Sequence, residues 1–489
     1  MWIFSPPWFL RFMVGAFASV VILTLIWQWP SVQTRRAAST EGLAITSHDT
    51  TDHSPQGKDP ALIELLHSIS TTSEYFVDYP LPPSEFGKMG KRLQVLRDWI
   101  AASENYQMTA EQAESLRDRV DKTAISLFPF LRDPSQASIT SLSHLRQRFE
   151  LGTKGIVIPT GQGTFRYACH LIGNLRDTLG SKLPIEIVYA GDSDLPSEYR
   201  DFITQLSSNI TTMDITQVFD DTTLDLQHGG WAIKTFAALA SRFEQVLLLD
   251  ADVVFLQAPE AILDHHSGYR KTGALLFHDR LLWQGAFKER HEWWEKQLEH
   301  QPPSQALSKS LVYNEGYAEE CDAGLVVLDK SKVHLLLGLL HACWQNTKLV
   351  REAWTYNMGY GDKESWWFGL ELSGAEYTFE DHYGGMLGTL NDDGSRVCSF
   401  TIAHVDEHDK LIWYNGSLLK NKLVNATAFE IPTHWMLDGI WEKGGSKPEI
   451  SCMKEAKIRE TSKEEKRIIG NSIDRAREID ERIHGFVSF

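Results

Sequence analysis

Cysteine is scarce in this chain. Five residues (Cys169, Cys321, Cys343, Cys398 and Cys452) are spread over 489 positions, and none forms a Cys-x-x-Cys pair. A disulfide-built scaffold is thereby excluded, while up to two bridges with one thiol left over remain open in an oxidising compartment. Basic charge is also in deficit: 48 Lys and Arg face 65 Asp and Glu, for a net charge of −17. A general polyanion binder needs a basic face to release counterions, so no nucleic-acid partner is expected. An anionic substrate fits only where cations are placed locally. No long internal repeat and no Gly-x-Gly-x-x-Gly motif is present. Aromatics are not lacking. Sixteen Trp, 23 Phe and 14 Tyr supply core material and exclude disorder throughout. The length allows about three domains, or one large domain with appendages.

Residues 12–29, after a short tail over 1–11, contain no charge. Eighteen residues at helical rise span about 27 Å, close to a bilayer core. Trp8, Trp27 and Trp29 flank the run at interface depth. A buried core helix and a cleaved signal peptide are the alternatives, but no clear small-x-small cleavage site follows Trp29. The expectation is a single transmembrane anchor. Arg11 on one side against Arg35 and Arg36 on the other does not favour a cytosolic N-terminus. Three sequons, at Asn209, Asn415 and Asn425, are compatible with a lumenal body. Residues 30–60 read as a polar stem or linker. Residues 61–150 read as a helical region, with apolar spacing over 61–70, 91–102 and 109–127. Residues 453–489 are dense in charge of both signs, and Ile469, Ile473, Ala476 and Asp480 step at helical spacing, which reads as an exposed charged helix.

Over 151–452 short apolar runs alternate with helical patterns. Strands are expected at 155–159, 185–190, 246–249 and 324–328, and 236–243 fits the end of a helix. The implied class is α/β, a mixed sheet flanked by helices, with ligands bound beyond the carboxyl ends of the strands. Gly161-Gln162-Gly163 follows the first strand and suits either a tight turn or a close approach of a nucleotide to the backbone. The chemically richest segment is Leu247-Leu248-Leu249-Asp250-Ala251-Asp252-Val253-Val254-Phe255. An extended chain would point the carboxylates of Asp250 and Asp252 to one side. Two like charges on one apolar face are unfavourable unless a cation holds them. Hard oxygen donors suit manganese or magnesium shared with substrate phosphate oxygens. The bland alternative is a strand end with one turn Asp and one solvated Asp.

Gly230-Trp231-Ala232-Ile233-Lys234, followed by the Asp250-Ala-Asp252 segment, resembles the fungal α-mannosyltransferases of glycosyltransferase family 71. Cys321-Asp322-Ala323-Gly324, Gly361-Asp362-Lys363-Glu364-Ser365-Trp366-Trp367 and Trp413-Tyr414-Asn415-Gly416 match as well. The resemblance covers about 150–430. It implies a GT-A fold, Golgi residence as a single-pass type II membrane protein, and transfer of α-1,3-linked mannose from GDP-mannose to a mannosylated glycan with retention. Manganese(II), a nucleotide-sugar donor, a glycan acceptor and room for partner mannosyltransferases in a complex are implied with it. The motif order also resembles the wider retaining class related to glycogenin. On that likeness Asp250 and Asp252 match the metal and diphosphate motif, and Lys234 a basic residue near the nucleotide-sugar. Asp322 and Asp362 match sugar or acceptor contacts. His404, with Lys410 six residues on, resembles a His-x5-Lys motif whose His completes the metal site and whose Lys pairs with the diphosphate. Asp322-Ala323 departs from that class's Asn-Ser pair, and Trp413 falls one position late.

Other readings use other residues. UDP-glucose or UDP-galactose could replace GDP-mannose as donor. His404, Asp406 and His408, two apart, would share one face of a strand and build a metallohydrolase site. Trp293-Trp294 and Trp366-Trp367 could stack on sugars in an inactive, lectin-like protein, although one member of each pair suits the core. His265-His266 reads as a surface pair. The acidity concentrates in the body, where 25 basic residues face 41 acidic ones over 151–452. A donor site there requires local cations.

Overall fold

The computed structural model describes residues 60–131, 141–446 and 449–485, so the tail, anchor and stem expected up to residue 59 lie outside the described residues. Among the described residues no helix is long and apolar enough to cross a membrane. The described residues form a single compact unit.

The first eight strands are β1 (Glu150–Pro159), β2 (Ile185–Tyr189), β3 (Ile210–Asp214), β4 (Phe243–Leu249), β5 (Val253–Phe255), β6 (Ala274–Leu276), β7 (Leu325–Asp329) and β8 (Thr378–Phe379). All but β5 join one sheet in the order β3-β2-β1-β4-β7-β6-β8. β1 runs parallel to β2 and β4, and β2 to β3, whereas β7 is antiparallel to both β4 and β6. The sheet is therefore mixed, with its parallel half carrying the helices expected of βαβ connections. Alternation along the strands fills both faces. Val157, Val246, Leu248 and Val326 join one core with the helices Ile233–Ala240 and Val333–Gln345. Ile156, Ile158, Leu247, Leu249, Leu325 and Val327 join the other, with the helix Phe165–Gly173. Strands buried on both faces read as continuous apolar runs, which is why β2 and β4 were visible in the sequence.

Two expectations need correction here. The helix over 236–243 is Ile233–Ala240, and Phe243 already opens β4. The segment from Leu247 to Phe255 is not one extended strand: the chain turns over Ala251 and Asp252, so β4 and β5 belong to different sheets.

The remaining strands are β9 (Met386–Leu390), β10 (Val397–Ser399), β11 (Ile402–Val405), β12 (Leu411–Asn415), β13 (His434–Met436), β14 (Ile440–Glu442), β15 (Ser451–Lys454) and β16 (Arg459–Glu460). β11, β12 and β5 form a three-stranded sheet, and the other six form a second sheet in the order β14-β15-β10-β9-β13-β16. Cys398 and Cys452, opposite each other on β10 and β15, are joined by a disulfide, and Cys169, Cys321 and Cys343 are buried free thiols.

The helices Pro60–Asp78, Phe86–Asn105 and Ala110–Leu127 form the expected N-terminal helical region. Thr109 and Gln112 make a reciprocal capping box that starts the third. At the other end, Lys463–Ile483 starts on the capping box of Ser462 and Glu465. This helix is not an exposed one. Ile469, Ile473, Ala476, Ile479 and Ile483 are buried, and Asp480 binds Arg166 through both its oxygens and His170 at 2.8 Å. Apart from Asp480, most of its charged residues lie on the outer face.

His341 locks the helical region to the body. Its Nε2 donates to the Phe86 carbonyl at 3.0 Å, and Gln345 Nε2 lies 3.0 Å from its Nδ1. Burial pushes the imidazole down to about 4, against a smaller upward pull from the Phe86 carbonyl. With a folded value below the ordinary 6.5, the unfolded chain takes up the proton first between those limits. Stability is thus lost as pH falls from about 6.5 through 4, by roughly 3 kcal/mol for this one group. Urea unfolding of the wild type and of His341→Gln across that window should show a shallower pH dependence in the variant.

Candidate active site

The end of β4, the start of β7 and the helices Ile233–Ala240 and Lys363–Leu372 meet at one buried ammonium. Lys234, 5% exposed, places Nζ 2.8 Å from Asp250 Oδ1, 3.2 Å from Asp362 Oδ2 and 2.8 Å from the Ala323 carbonyl. Each partner is fixed by its own element. Asp250 follows the last residue of β4, and its N–H donates to the Gly324 carbonyl at 2.9 Å. Asp362 sits at the N-cap of the helix Lys363–Leu372, where Trp366 Nε1 donates to its Oδ2 at 2.8 Å. Burial lowers the affinity of the Lys234 amine for its proton, but Asp250 and Asp362 outweigh this and hold it charged, well above the ordinary lysine range.

Asp252 turns to a different cation. Its Oδ2 pairs with Lys422 Nζ, and the peptide N–H of Ser417 donates to its carbonyl at 2.7 Å. Lys422 Nζ also lies over the Tyr167 ring, 5.5 Å from the centroid. Asp250 and Asp252 therefore each spend one carboxylate oxygen on a lysine, and their side chains remain 28% and 19% exposed. Burial first, then the carboxylates of Asp252 and Asp362, push Asp250 up to about 6 despite Lys234. Three carboxylates (Asp250, Asp252 and Asp362) face two lysines (Lys234 and Lys422) at this spot.

Asp322 stands beside this row with both oxygens engaged. Gly324 N–H donates to Oδ1 at 3.0 Å, Asn415 Nδ2 donates to Oδ1 at 3.1 Å, and His404 Nε2 lies 3.0 Å from Oδ2. Burial pushes the Asp322 carboxyl up, but the hydrogen bond and charge of His404, with Lys363, leave it below the usual carboxylate range. His404 is itself sandwiched, stacked on Trp413 at 4.1 Å and edge-on to Phe277 at 5.4 Å.

Lys234, Asp250 and Asp362 are thus in direct contact, Asp252 adjoins them, and Asp322 and His404 form a neighbouring pair. His404 turns its Nε2 to Asp322, and among the described residues no group of three or more His, Cys, Asp or Glu side chains is arranged to hold a metal ion. Asp250 and Asp252 each offer a hard oxygen with lone pairs to spare, which fits a divalent cation whose other ligands come from a substrate.

Lys410 is not brought to this row. It is exposed in the turn between β11 and β12, its N–H on Asp406 Oδ1 at 3.0 Å, while Asn415 at the far end of β12 pairs with Val253. Gly161 lies two residues past the end of β1, at the same sheet edge as Asp250, but what requires glycine there is Asp194: an added Cβ would lie 2.0 Å from its Oδ1. The trio His404, Asp406 and His408 is not assembled. A register shift falls at His404, Asp406 accepts from Gln257 at 2.9 Å, and His408 is exposed in the turn. Trp294, Trp366 and Trp367 are buried core residues, and Trp293 is partly buried against the same core. His265 is exposed but His266 is buried against Glu380 at 2.6 Å, so they are not a surface pair.

The sequence reading missed Lys422, which no motif marks, and the exposed Trp231, quoted in a matching segment without a role. Replacing Lys234 by Met strands the buried carboxylate of Asp362 and the partly buried one of Asp250, at a cost of about 3–5 kcal/mol, whereas Lys410→Met should change stability by less than about 0.5 kcal/mol. Urea midpoints of the two variants give the comparison.

A family model described as "Mannosyltransferase putative" matches residues 153–406. The chain is 28% identical over 286 residues to "Alpha-1,3-mannosyltransferase MNT3" of Saccharomyces cerevisiae, covering 50% of this chain and 44% of that protein. It is 27% identical over 302 residues to "Putative alpha-1,3-mannosyltransferase MNN14" of Candida albicans, covering 54% and 43%. The matches thus span less than half the length of these two relatives. Among solved structures, the galactosyltransferase LgtC in complex with donor and acceptor sugar analogs is 16% identical, with a TM-score of 0.31 over 46% of this chain and 73% of that one.

Proposed function

The chain belongs to the mannosyltransferase family of that model, and from this premise we propose that it is an α-1,3-mannosyltransferase. It moves mannose from GDP-mannose to a mannosylated glycan of glycoproteins, with retention and with a divalent cation, manganese(II). The observation that carries this reading is the carboxylate row at the end of β4, where Asp250 and Asp252 each keep an oxygen free beside two lysines. A nucleoside diphosphate needs a cation in so acidic a body, and a row with surplus negative charge recruits one.

Asp250 and Asp252 would hold the cation, which supplies Lewis-acid neutralisation of the diphosphate. Lys422, at Asp252, is placed to pair with the phosphates, a role that Lys410 in its distant turn does not fill. Lys234 holds Asp250 and Asp362 in position. Asp362 uses Oδ2 for Lys234 and Trp366, which leaves Oδ1 to orient sugar hydroxyls and to stabilise positive charge at the anomeric carbon. Asp322, with both oxygens taken, acts through His404 and Asn415 as a positioning residue. In the transfer, the bond from the anomeric carbon to the β-phosphate oxygen breaks and its electron pair stays on the phosphate. The acceptor hydroxyl oxygen bonds the anomeric carbon, and its proton passes to the departing phosphate on the same face.

The body is lumenal in the Golgi on this reading, with the uncharged run 12–29 as its single membrane anchor; the Cys398–Cys452 disulfide supports an oxidising compartment. Asn209 and Asn425 are exposed, so glycosidase treatment of the cellular protein should shift its mobility, and substituting both with Gln should abolish the shift. Asn415 is tied to Asp322 and should stay unmodified.

The direct test incubates the protein with a panel of nucleotide-sugars and manganese, with and without Asp250→Ala. GDP-mannose turnover lost in the variant is expected. No turnover, or turnover that survives the substitution, sinks the proposal, and preference for a UDP-sugar sinks the donor assignment. Lys422→Ala should weaken GDP binding at least tenfold, and Lys410→Ala should leave it within twofold, by calorimetric titration in manganese.

A further inference from the structure

The buried tryptophan pairs leave the sugar-stacking question to other aromatics, and two of those stand at the carboxylate row. Trp231 is 48% exposed and Tyr360 is 52% exposed, their ring centroids 5.2 Å apart at 50°. Each is tied by the chain to the row: Trp231 lies three residues before Lys234, and Tyr360 two before Asp362. The indole is not a loose surface side chain. Gly361, at φ +68°, presses its backbone against one side, and a Cβ there would come within 2.8 Å of Trp231 Cε3. The close approach and the left-handed backbone both require glycine. Tyr356 packs edge-on at 6.3 Å.

We infer that Trp231 and Tyr360 form the subsite that holds the terminal hexopyranose of the acceptor glycan. This rests on the transferase reading above and adds where the acceptor lies. The C–H groups on one side of a pyranose ring are the complement of an aromatic face, whose π cloud carries the negative end of the ring quadrupole. The two sides of the row separate the substrates. Lys422 and Tyr167, where the diphosphate belongs, stand with the helix Phe165–Gly173 on the sheet face of Ile156 and Leu249. Trp231 heads the helix Ile233–Ala240, whose Phe236 and Leu239 pack on the opposite face with Val157 and Leu248. A glycosyl group handed over at Asp250 and Asp362 thus has its donor on one side and the aromatic pair on the other.

The experiment measures KM for α-mannobiose and for GDP-mannose, together with GDP affinity by calorimetry, in the full chain and in Trp231→Ala, Tyr360→Ala and Trp231→Phe. The alanine variants should raise the acceptor KM at least tenfold with GDP affinity within twofold of wild type, and Trp231→Phe should recover most of the loss. Weakened GDP binding with an unchanged acceptor KM would overturn the inference in favour of a nucleobase platform. No change in either would reduce the pair to plain surface residues. If the wild type turns over no GDP-mannose, the transferase reading fails by itself. Saturation-transfer NMR with mannobiose then decides the subsite: signal in the wild type that is lost in Trp231→Ala supports it, and absent or undiminished signal refutes it.

Discussion

The Lys234 ammonium is the point on which the site depends. It is buried, yet two carboxylates and a peptide carbonyl surround it, so the cost of removing each charge from water is offset only while all the partners are present. The lysine comes from the helix Ile233–Ala240, and its partners from the end of β4, the start of β7 and the N-cap of Lys363–Leu372. One cation thereby fixes the relative position of four elements at the edge where the sheet's carboxyl ends emerge. Asp250 and Asp362 would otherwise repel each other and open the edge.

Around that point, charge is distributed by structure and not by composition. The body is strongly acidic, but its cations are used where the acid is densest: Lys234 on Asp250 and Asp362, Lys422 on Asp252, and Lys363 on Asp279. Even so, at the end of β4 three carboxylates, Asp250, Asp252 and Asp362, face two lysines, Lys234 and Lys422. On the proposed function, a dication from solution would complement the row, and a phosphate arriving with it would meet lysine on one side and metal on the other. The acidity that argues against an anionic ligand would then be the reason a dication comes with it.

The residues outside this row mostly hold it in place. Asp322, His404, Asn415 and Trp413 tie β7 to the β11–β12 hairpin, and the disulfide closes the second sheet behind them. The C-terminal helix seals the opposite flank, its Asp480 answering Arg166 and His170 beneath the helix Phe165–Gly173 that carries Tyr167. Trp366 and Trp367 serve the same end from inside the core, their indole N–H groups donating to Asp362 and Glu364. Trp231 and Tyr360 are the aromatics left facing out at the row.

Local pattern made the central part of the fold legible. Strands buried on both faces announce themselves as apolar runs, which located β1, β2, β4 and β7, and helical spacing located Ala110–Leu127 and the C-terminal helix. The strands from β9 to β16 are two to five residues long, too short for periodicity to register. The apolar stripe of the last helix was visible, but its burial depends on a partner almost 300 residues earlier. The carboxylates of the site were legible because their sequence context is unusual: two aspartates in an apolar run, and an aspartate after glycine ahead of a helix. Their cations were legible only in part. Lys234 is near Asp250 in sequence and was found, whereas Lys422 reaches Asp252 across 170 residues and Lys410, closer to a motif, is exposed in the turn between β11 and β12. Sequence by itself determined the α/β class and the carboxylates, because strand burial and buried like charge leave local signatures. Only the tertiary structure decided which lysine neutralises which aspartate and which tryptophans face solvent, because those follow from contacts between elements far apart in the chain.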